Sequence, residues 1–376
     1  MRIAVNTRLL LKNKLEGIGW FTYETLKRIT QNHPEHEFLF LFDRKPHPDF
    51  IFSDNVKPYV LFPQARHPFL WYIWFEFSVA RFLKKNKVDL FLSPDGMIPT
   101  NSSVPTIAVI HDINFLHHPK GIPFFTRSYF LHYFPIFARK STHIVTVSHY
   151  SKNDIASNYS IDPDKISVAY NGANVAFKPI GKDEKIEVRR RFTNGKPYFI
   201  FVGALNPRKN VARLINAFDL FLTRTKLDYA LLIVGEPMFM TDDIKQVLSS
   251  ITHKERVVFT GRMNVDDLCL VMASATALSY VPYFEGFGIP LVEAMYCHIP
   301  IIASDRTSIP EVAGNAAFYV DPFDVESIAH AMKLVATDTQ LQDALSSMSE
   351  SRKKSFSWDS TAAILFQCID NVMKNR

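Results

Sequence analysis

The sequence predicts an α/β protein made of two doubly wound, parallel-sheet domains that face a central cleft, and three observations carry that prediction. At 376 residues the chain exceeds a single ordinary core and suits two domains of roughly 150 to 200 residues each. Short apolar runs of β type alternate with longer amphipathic stretches from end to end, the pattern of parallel sheets covered by helices on both faces. The alternation stops at a segment rich in Pro, Gly and charge, then starts afresh. Doubly wound sheets bind ligands outside the carboxyl ends of their strands, so two in tandem would set a cleft between two such edges.

In the first half, strands are expected at Arg2 to Thr7, Glu37 to Phe42, Tyr59 to Phe62, Leu90 to Ser93, Thr106 to His111, Ile144 to Ser148 and Ile166 to Tyr170. The stretch Asn174 to Arg189 contains FKPIGKDEK, has little to bury, and reads as the domain linker. The second series runs Tyr198 to Gly203, Tyr229 to Gly235, Arg256 to Thr260, Ala275 to Val281, Ile299 to Ser304 and Ala317 to Val320. Domains over residues 1–178 and 179–356 follow, with 357–376 left over. That last segment reads as an amphipathic helix from Trp358 to Arg376, with Asp359 or Ser360 near its start and Lys374 and Arg376 at its end, as the helix dipole prefers.

Composition removes several classes of protein. A hydrophobic share of 47% with 21% charged residues fills two cores and excludes a disordered chain. The N-terminal MRIAVNTRLLLKNKLEG is interrupted by Asn6, Arg8 and Lys12 and lacks a small-residue cleavage site, so no secretory signal is expected there. No 18-residue apolar run exists to span a membrane. Three cysteines without CxxC spacing speak against a disulfide framework or structural zinc and suit a cytoplasmic protein. The basic excess lies in residues 1–180, with 21 Lys and Arg against 14 Asp and Glu, and ten of the 13 histidines lie there too. A basic half suits an anionic partner, and mild acidity would strengthen the contrast.

Two motifs carry chemistry. Glu285-Gly-Phe-Gly-Ile-Pro-Leu-Val-Glu293 follows an apolar strand. Gly286 and Gly288 permit close backbone approach to a ligand, Pro290 suits a first helical turn, and the N–H groups of that turn favour an anion. Glu285 falls in the loop and Glu293 one turn inside the helix, so both carboxylates are expected to face one ligand. A helix start with a capping Glu would explain the same residues. In Phe201-Val-Gly-Ala-Leu-Asn-Pro-Arg-Lys-Asn210 a strand ends in Gly203, and Arg208 and Lys209 stand before a helix over Val211 to Leu222. Two cations at a helix N-terminus oppose its dipole, a conflict that a bound polyanion, a diphosphate above all, would resolve.

With these segments, and with the E-x7-E spacing of Glu285 and Glu293, the chain resembles the retaining glycosyltransferases of family 4, also called group 1. The resemblance covers nearly the whole chain, through Met1-Arg-Ile-Ala-Val-Asn-Thr-Arg8 with Gly17-Ile-Gly19, Val109-Ile-His-Asp112, Val147-Ser-His-Tyr-Ser151, Tyr170-Asn-Gly172, Leu232-Ile-Val-Gly235 and Phe259-Thr-Gly-Arg262. It implies the GT-B fold, two facing Rossmann-like domains with the last helix crossing back onto the first. It implies transfer of a hexosyl group, mannosyl before others, from a nucleoside-diphosphate sugar to a saccharide or lipid-linked saccharide in surface polysaccharide or lipopolysaccharide synthesis. GDP-mannose stands ahead of UDP-sugars as donor.

Residue roles follow from the same resemblance. Arg208 and Lys209 would neutralise the donor diphosphate in place of a metal ion, so no metal and no cofactor is expected. Glu285 would accept hydrogen bonds from sugar hydroxyls, the backbone around Gly286, Phe287 and Gly288 would hold sugar or phosphate, and Glu293 would bind the ribose. Arg262 would lie by the base, Gly17 and Gly19 would let a loop close over the phosphates, and His111 would contact the donor sugar near the acceptor. Transfer would retain configuration by front-side attack, the departing phosphate taking the acceptor proton. Neither glutamate is then a nucleophile, unlike the carboxylate pair of retaining glycosidases. The chain has Ala204 where members often carry Arg, and Arg208 would supply that charge.

Rival readings meet the same residues. A dinucleotide dehydrogenase needs a third Gly where this chain has Thr22. Asp162-Pro-Asp164 matches a metal-binding DxD, but its proline and position before a strand make it a turn. A non-hydrolysing sugar-nucleotide epimerase and an inactive nucleotide-sugar-binding subunit stay as alternatives, the second weakened by the presence of both Glu285 and His111. No basic-aromatic RNA motif appears, so nucleic acid is not an expected partner. Finally, Phe62 to Lys87 carries Phe69, Trp71, Tyr72, Trp74, Phe75 and Phe77 before Arg81, Lys84, Lys85 and Lys87. This segment is either a core helix or an interfacial one that would hold the protein on the inner face of an anionic membrane.

Overall fold

The computed structural model describes residues 1–119, 122–236 and 242–374. It divides into two compact units, one of Met1–Asn171 together with the segment from Ser357 onward, the other of Gly172–Phe356. The first unit holds β1 (Arg2–Asn6), β2 (Glu37–Phe42), β3 (Val56–Val60), β4 (Leu90–Ser93), β5 (Thr106–Val109), β6 (His143–Thr146) and β7 (Ile166–Val168). They form one sheet in the order β3-β2-β1-β4-β5-β6-β7, every pairing parallel. The second holds β8 (Tyr198–Val202), β9 (Ala230–Val234), β10 (Val257–Gly261), β11 (Ala277–Tyr280), β12 (Ile301–Ser304) and β13 (Phe318–Val320), ordered β10-β9-β8-β11-β12-β13 and again parallel throughout. Central strands are buried on both faces, so they read as continuous apolar runs such as Ile3-Ala4-Val5 and Leu231-Leu232-Ile233.

Covering helices follow from apolar spacing. In Val211–Thr225 the buried positions Val211, Leu214, Ile215, Phe218, Phe221 and Leu222 repeat at three and four residues, a stripe that packs on the sheet. The helix Trp358–Lys374 buries Trp358, Thr361, Ala362, Leu365, Cys368 and Ile369 by the same rule and lies against the helix Gly17–Asn32. Arg28 bonds to Asp359, and Phe366 stacks on His33 at 3.3 Å between centroids. Asn375 and Arg376, which the sequence placed at the end of that helix, lie outside the described residues.

Three expectations need adjustment. The strand expected at Tyr59 to Phe62 is β3, which starts earlier and contains Pro58; as the sheet's edge strand it tolerates a residue with no N–H to donate. Half of the expected linker is helical, the start of the helix Lys182–Thr193 in the second unit. Asp183 and Glu184 occupy its first turn, Arg190 and Arg191 its last, and left-handed Asn194 caps it, so dipole matching and capping stabilise a helix that buries little. The aromatic segment, read as either a core helix or an interfacial one, has a buried side and an exposed side. It runs as Pro68–Ile73, a wider π turn over Trp74–Val79, and Ala80–Lys85. Trp74, Phe75, Val79, Phe82 and Leu83 join the core, while Phe69, Tyr72 and Phe77 are exposed.

Candidate active site

The second sheet changes direction between β8 and β11: the chain proceeds outward to β9 from one and to β12 from the other. Right-handed crossovers then put the following helices on opposite faces, and the loops after β8 and β11 part to leave a crevice at the strands' carboxyl ends. The loops bordering this crevice are the two that the sequence singled out. Gly235, after β9, lets the chain pass close to the end of β8, since a Cβ there would sit 2.1 Å from the Gly203 carbonyl oxygen.

Arg208 and Lys209 lie in a short turn, Pro207–Lys209, ended by Asn210 in the left-handed region at φ 61°. Asn210 is buried, and its amide donates to the carbonyls of Val281 at 2.9 Å and Pro322 at 2.7 Å, while its oxygen accepts from Arg213. The turn is thus tied to the ends of β11 and β13 before the helix Val211–Thr225 begins. Both cations reach Glu285. Arg208 Nη1 donates to its Oε1 at 2.7 Å and to the Phe284 carbonyl at 3.0 Å, and Lys209 Nζ pairs with the same Oε1. Lys209 also donates to the Tyr280 hydroxyl at 2.6 Å. The expected conflict between two cations and a helix dipole is therefore relieved inside the protein, because Glu285 already supplies a negative charge. Burial pushes the Glu285 carboxyl up, but Arg208 and Lys209 more than reverse this and hold it below the ordinary range. Its backbone is fixed as well: its N–H donates to Thr307 Oγ1 at 3.2 Å and its carbonyl accepts from Ser308 Oγ at 2.8 Å.

Glu293 stands one turn inside the helix Ile289–Tyr296, as the spacing required. It does not share the ion pairs of Glu285, and among the described residues its carboxylate has no hydrogen-bond or ion-pair partner. Burial raises its pKa to about 8. Gly288 precedes the helix at φ 96°, where a Cβ would approach Ile309 Cδ1 to 3.1 Å, so both conformation and space require glycine. Phe287 is buried edge-on against Phe356, and Gly286 lies between it and Glu285. Arg262 directly follows β10, two strands outward from β8, and is exposed.

In the first unit the sheet changes direction between β1 and β4. Gly17 and Gly19, expected in a loop, occupy the first turn of the helix Gly17–Asn32. A Cβ on Gly19 would meet Leu9 O and Leu15 Cδ2 at 3.2 Å, whereas Gly17 has open space. His111 follows β5. Its Nε2 bonds the Pro94 carbonyl at 2.9 Å, and Phe21 packs edge-on to the ring at 5.0 Å. Burial lowers the His111 pKa, with the Pro94 bond opposing. A neutral ring whose Nε2 donates leaves Nδ1 an acceptor. Beside it the buried pair Arg8 and Asp95, 2.7 Å apart, ties the ends of β1 and β4 together with Asn6. Asp162 caps its own turn by accepting from Asp164 N–H at 2.9 Å. Motif reading passed over Asn210, Tyr280, Thr307 and Ser308 as site residues. Asn210 alone had a signal, an Asn directly before an apolar helical stripe.

Two family descriptions match the chain, "Glycosyltransferase Family 4" over residues 15–177 and "Glycosyl transferases group 1" over residues 182–352. The O-antigen chain mannosyltransferase RfbU of Salmonella typhimurium strain LT2 is 29% identical over 290 residues, 74% of this chain and 73% of that protein. O-antigen chain mannosyltransferase B of Escherichia coli is 28% identical over 217 residues, and there the match spans only 57% of either protein. Among solved structures, Anabaena HepE in complex with UDP-glucose superposes with a TM-score of 0.76 at 16% identity, over 99% of this chain and all of that one. At that identity the likeness speaks to fold, two Rossmann-like units of GT-B type.

Proposed function

The chain belongs to the group 1, family 4 glycosyltransferases, and from that premise we propose that it moves a mannosyl group from a nucleoside-diphosphate sugar to a saccharide or lipid-linked saccharide in O-antigen-type polysaccharide synthesis. The observation that carries this reading is the convergence of Arg208 and Lys209 on one anion at the crevice of the second sheet. A diphosphate presents negative charge of the same sign, and more of it, in place of the carboxylate. As the bond from the anomeric carbon to the β-phosphate oxygen breaks, negative charge grows on that oxygen, and fixed cations there lower the barrier without reorganising. The acceptor hydroxyl forms the new bond from the same face and gives its proton to the departing phosphate oxygen, which preserves configuration. Arg208 and Lys209 do the neutralising that a divalent cation would otherwise do. Glu285, once the diphosphate engages its cations, is placed to accept from sugar hydroxyls, and in the first unit His111 Nδ1 is free to accept from a hydroxyl of a bound saccharide. Glu293, half-buried and without a partner among the described residues, is an acceptor for ribose hydroxyls. Mannose as the sugar rests on the mannosyltransferase relatives, and GDP-mannose is accordingly placed before UDP-sugars.

Attachment at the cytoplasmic face of an anionic membrane belongs to the same proposal. Among the described residues no helix is long and apolar enough to cross a membrane. The first unit instead exposes Phe62, Phe69, Tyr72 and Phe77, with Phe124 and Phe125 linked to them through His67, whose ring lies 6.2 Å from that of Phe125. Arg81, Lys84, Lys85 and Lys87 are exposed along the same segment. Aromatic rings at headgroup level beside cations suit a lipid surface and a lipid-linked acceptor.

Thermal denaturation with candidate donors tests the substrate, because a ligand at 100 times its dissociation constant adds about 2.7 kcal/mol. GDP-mannose should raise the midpoint more than UDP-glucose does, and transfer should continue in excess chelator with an α-linked product. Absence of a shift with every nucleotide sugar would remove the reading. Strict dependence on a divalent cation would remove its metal-free part, and an inverted product its stereochemical part.

A further inference from the structure

We infer that Tyr280 is a positioning residue of the diphosphate site, holding the Lys209 ammonium through its phenol. The inference rests on the reading that Lys209 serves the diphosphate. Tyr280 is the last residue of β11 and is fully buried. Its hydroxyl lies 2.6 Å from Lys209 Nζ, the ammonium is 5.1 Å from the ring centroid, and the ring packs on Phe201 with centroids 6.1 Å apart and planes 20° from parallel. The phenol is therefore held by a central strand, full burial and an aromatic neighbour.

Lysine is a point charge on a flexible four-carbon stem, and immobilising such a side chain costs rotamer entropy. Two fixed acceptors meet that cost in advance here: the Glu285 carboxylate and the Tyr280 hydroxyl. They differ in kind. Glu285 carries a full charge and so competes with a diphosphate for the ammonium. The Tyr280 hydroxyl stays neutral, since burial and then the adjacent Glu285 push its pKa well above the ordinary value. A neutral acceptor orients the ammonium while leaving its charge for the ligand, and it keeps its bond when the ligand takes the place of Glu285. Phenylalanine would fill the same space and lose only the hydroxyl's bonds to Lys209 and Glu285, so a purely structural role predicts little from Tyr280→Phe.

The test compares binding of GDP with GMP, or UDP with UMP if the wild type prefers uridine, by titration calorimetry. The advantage of the diphosphate over the monophosphate isolates the β-phosphate site from the rest of the nucleotide. Tyr280→Phe should reduce that advantage roughly tenfold, the order expected for a hydrogen bond to a charged group, with monophosphate affinity unchanged. In a Lys209→Met background the same substitution should change nothing further, because the hydroxyl acts through the ammonium. Tyr280→Met makes the same prediction should the Phe variant fold poorly. An undiminished diphosphate advantage in Tyr280→Phe, or an equal loss with and without Lys209, overturns the inference. If Lys209→Met itself keeps the full advantage, the reading of Lys209 fails first, and the two failures are distinguishable.

Discussion

Glu285 is the residue at which the structure most changes the chemistry to be expected. Its carboxylate is the internal counter-ion of Arg208 and Lys209 and a buried one, so its removal acts on charge as well as on sugar contact. Glu285→Gln should depress turnover while leaving nucleoside-diphosphate affinity intact or tighter, since the cations lose a competitor. Calorimetry showing the nucleotide lost would move Glu285 into the nucleotide subsite. Glu293 differs in sign. Its folded-state pKa near 8 lies above the ordinary 4.5, so between those values the folded chain holds a proton that the unfolded chain has released. Stability from this group is therefore complete at low pH and falls as pH rises towards 8. Glu293→Gln should flatten that slope and raise the melting temperature at pH 8; a variant whose melting curve tracks the wild type at every pH would show that Glu293 is solvated.

At the scale of elements, strands were legible because parallel sheets buried on both faces demand unbroken apolar runs, and Leu231-Leu232-Ile233 cannot be mistaken for surface. The helix Lys182–Thr193 was not, because its stability lies in caps and charge order rather than in an apolar face, and FKPIGKDEK has no such face to read. Sequence spacing placed Arg208, Lys209 and Glu285 at strand ends but could not show that all three converge, since that contact joins residues 77 apart in sequence through the order of strands. Tyr280 was hidden for a related reason, because a tyrosine ending an apolar strand looks like core until its hydroxyl is seen. Asn210 shows how the elements are joined. Its left-handed backbone and two buried amide bonds hold the cation turn to β11 and β13. Asn210→Ala should cost about 3 kcal/mol, from stranded carbonyls and a conformation that disfavours a Cβ. Asn210→Gly should cost less, because it relieves the second term alone. Urea midpoints decide it, and equal stability of both variants with the wild type would deny Asn210 that joining role.

For the molecule as a whole, the basic excess of residues 1–180 acquires a location in the exposed aromatic segment and its cations. Anionic vesicles should pellet the protein at low salt and release it at high salt, and changing Lys84, Lys85 and Lys87 to Glu should abolish pelleting without altering nucleotide binding. Protein left in the supernatant at low salt would end the membrane proposal and point to a soluble acceptor. The central claim lies elsewhere, in the use of Arg208 and Lys209 as the diphosphate's counter-ions. It is tested most directly by titrating GDP and GMP, or UDP and UMP, into wild type and Lys209→Ala in metal-free buffer. The account predicts that the wild type binds the diphosphate at least tenfold more tightly than the monophosphate, a difference of about 1.4 kcal/mol, and that Lys209→Ala erases this margin while keeping monophosphate affinity. A margin that survives Lys209→Ala, or one that appears only when a divalent cation is added, would contradict it.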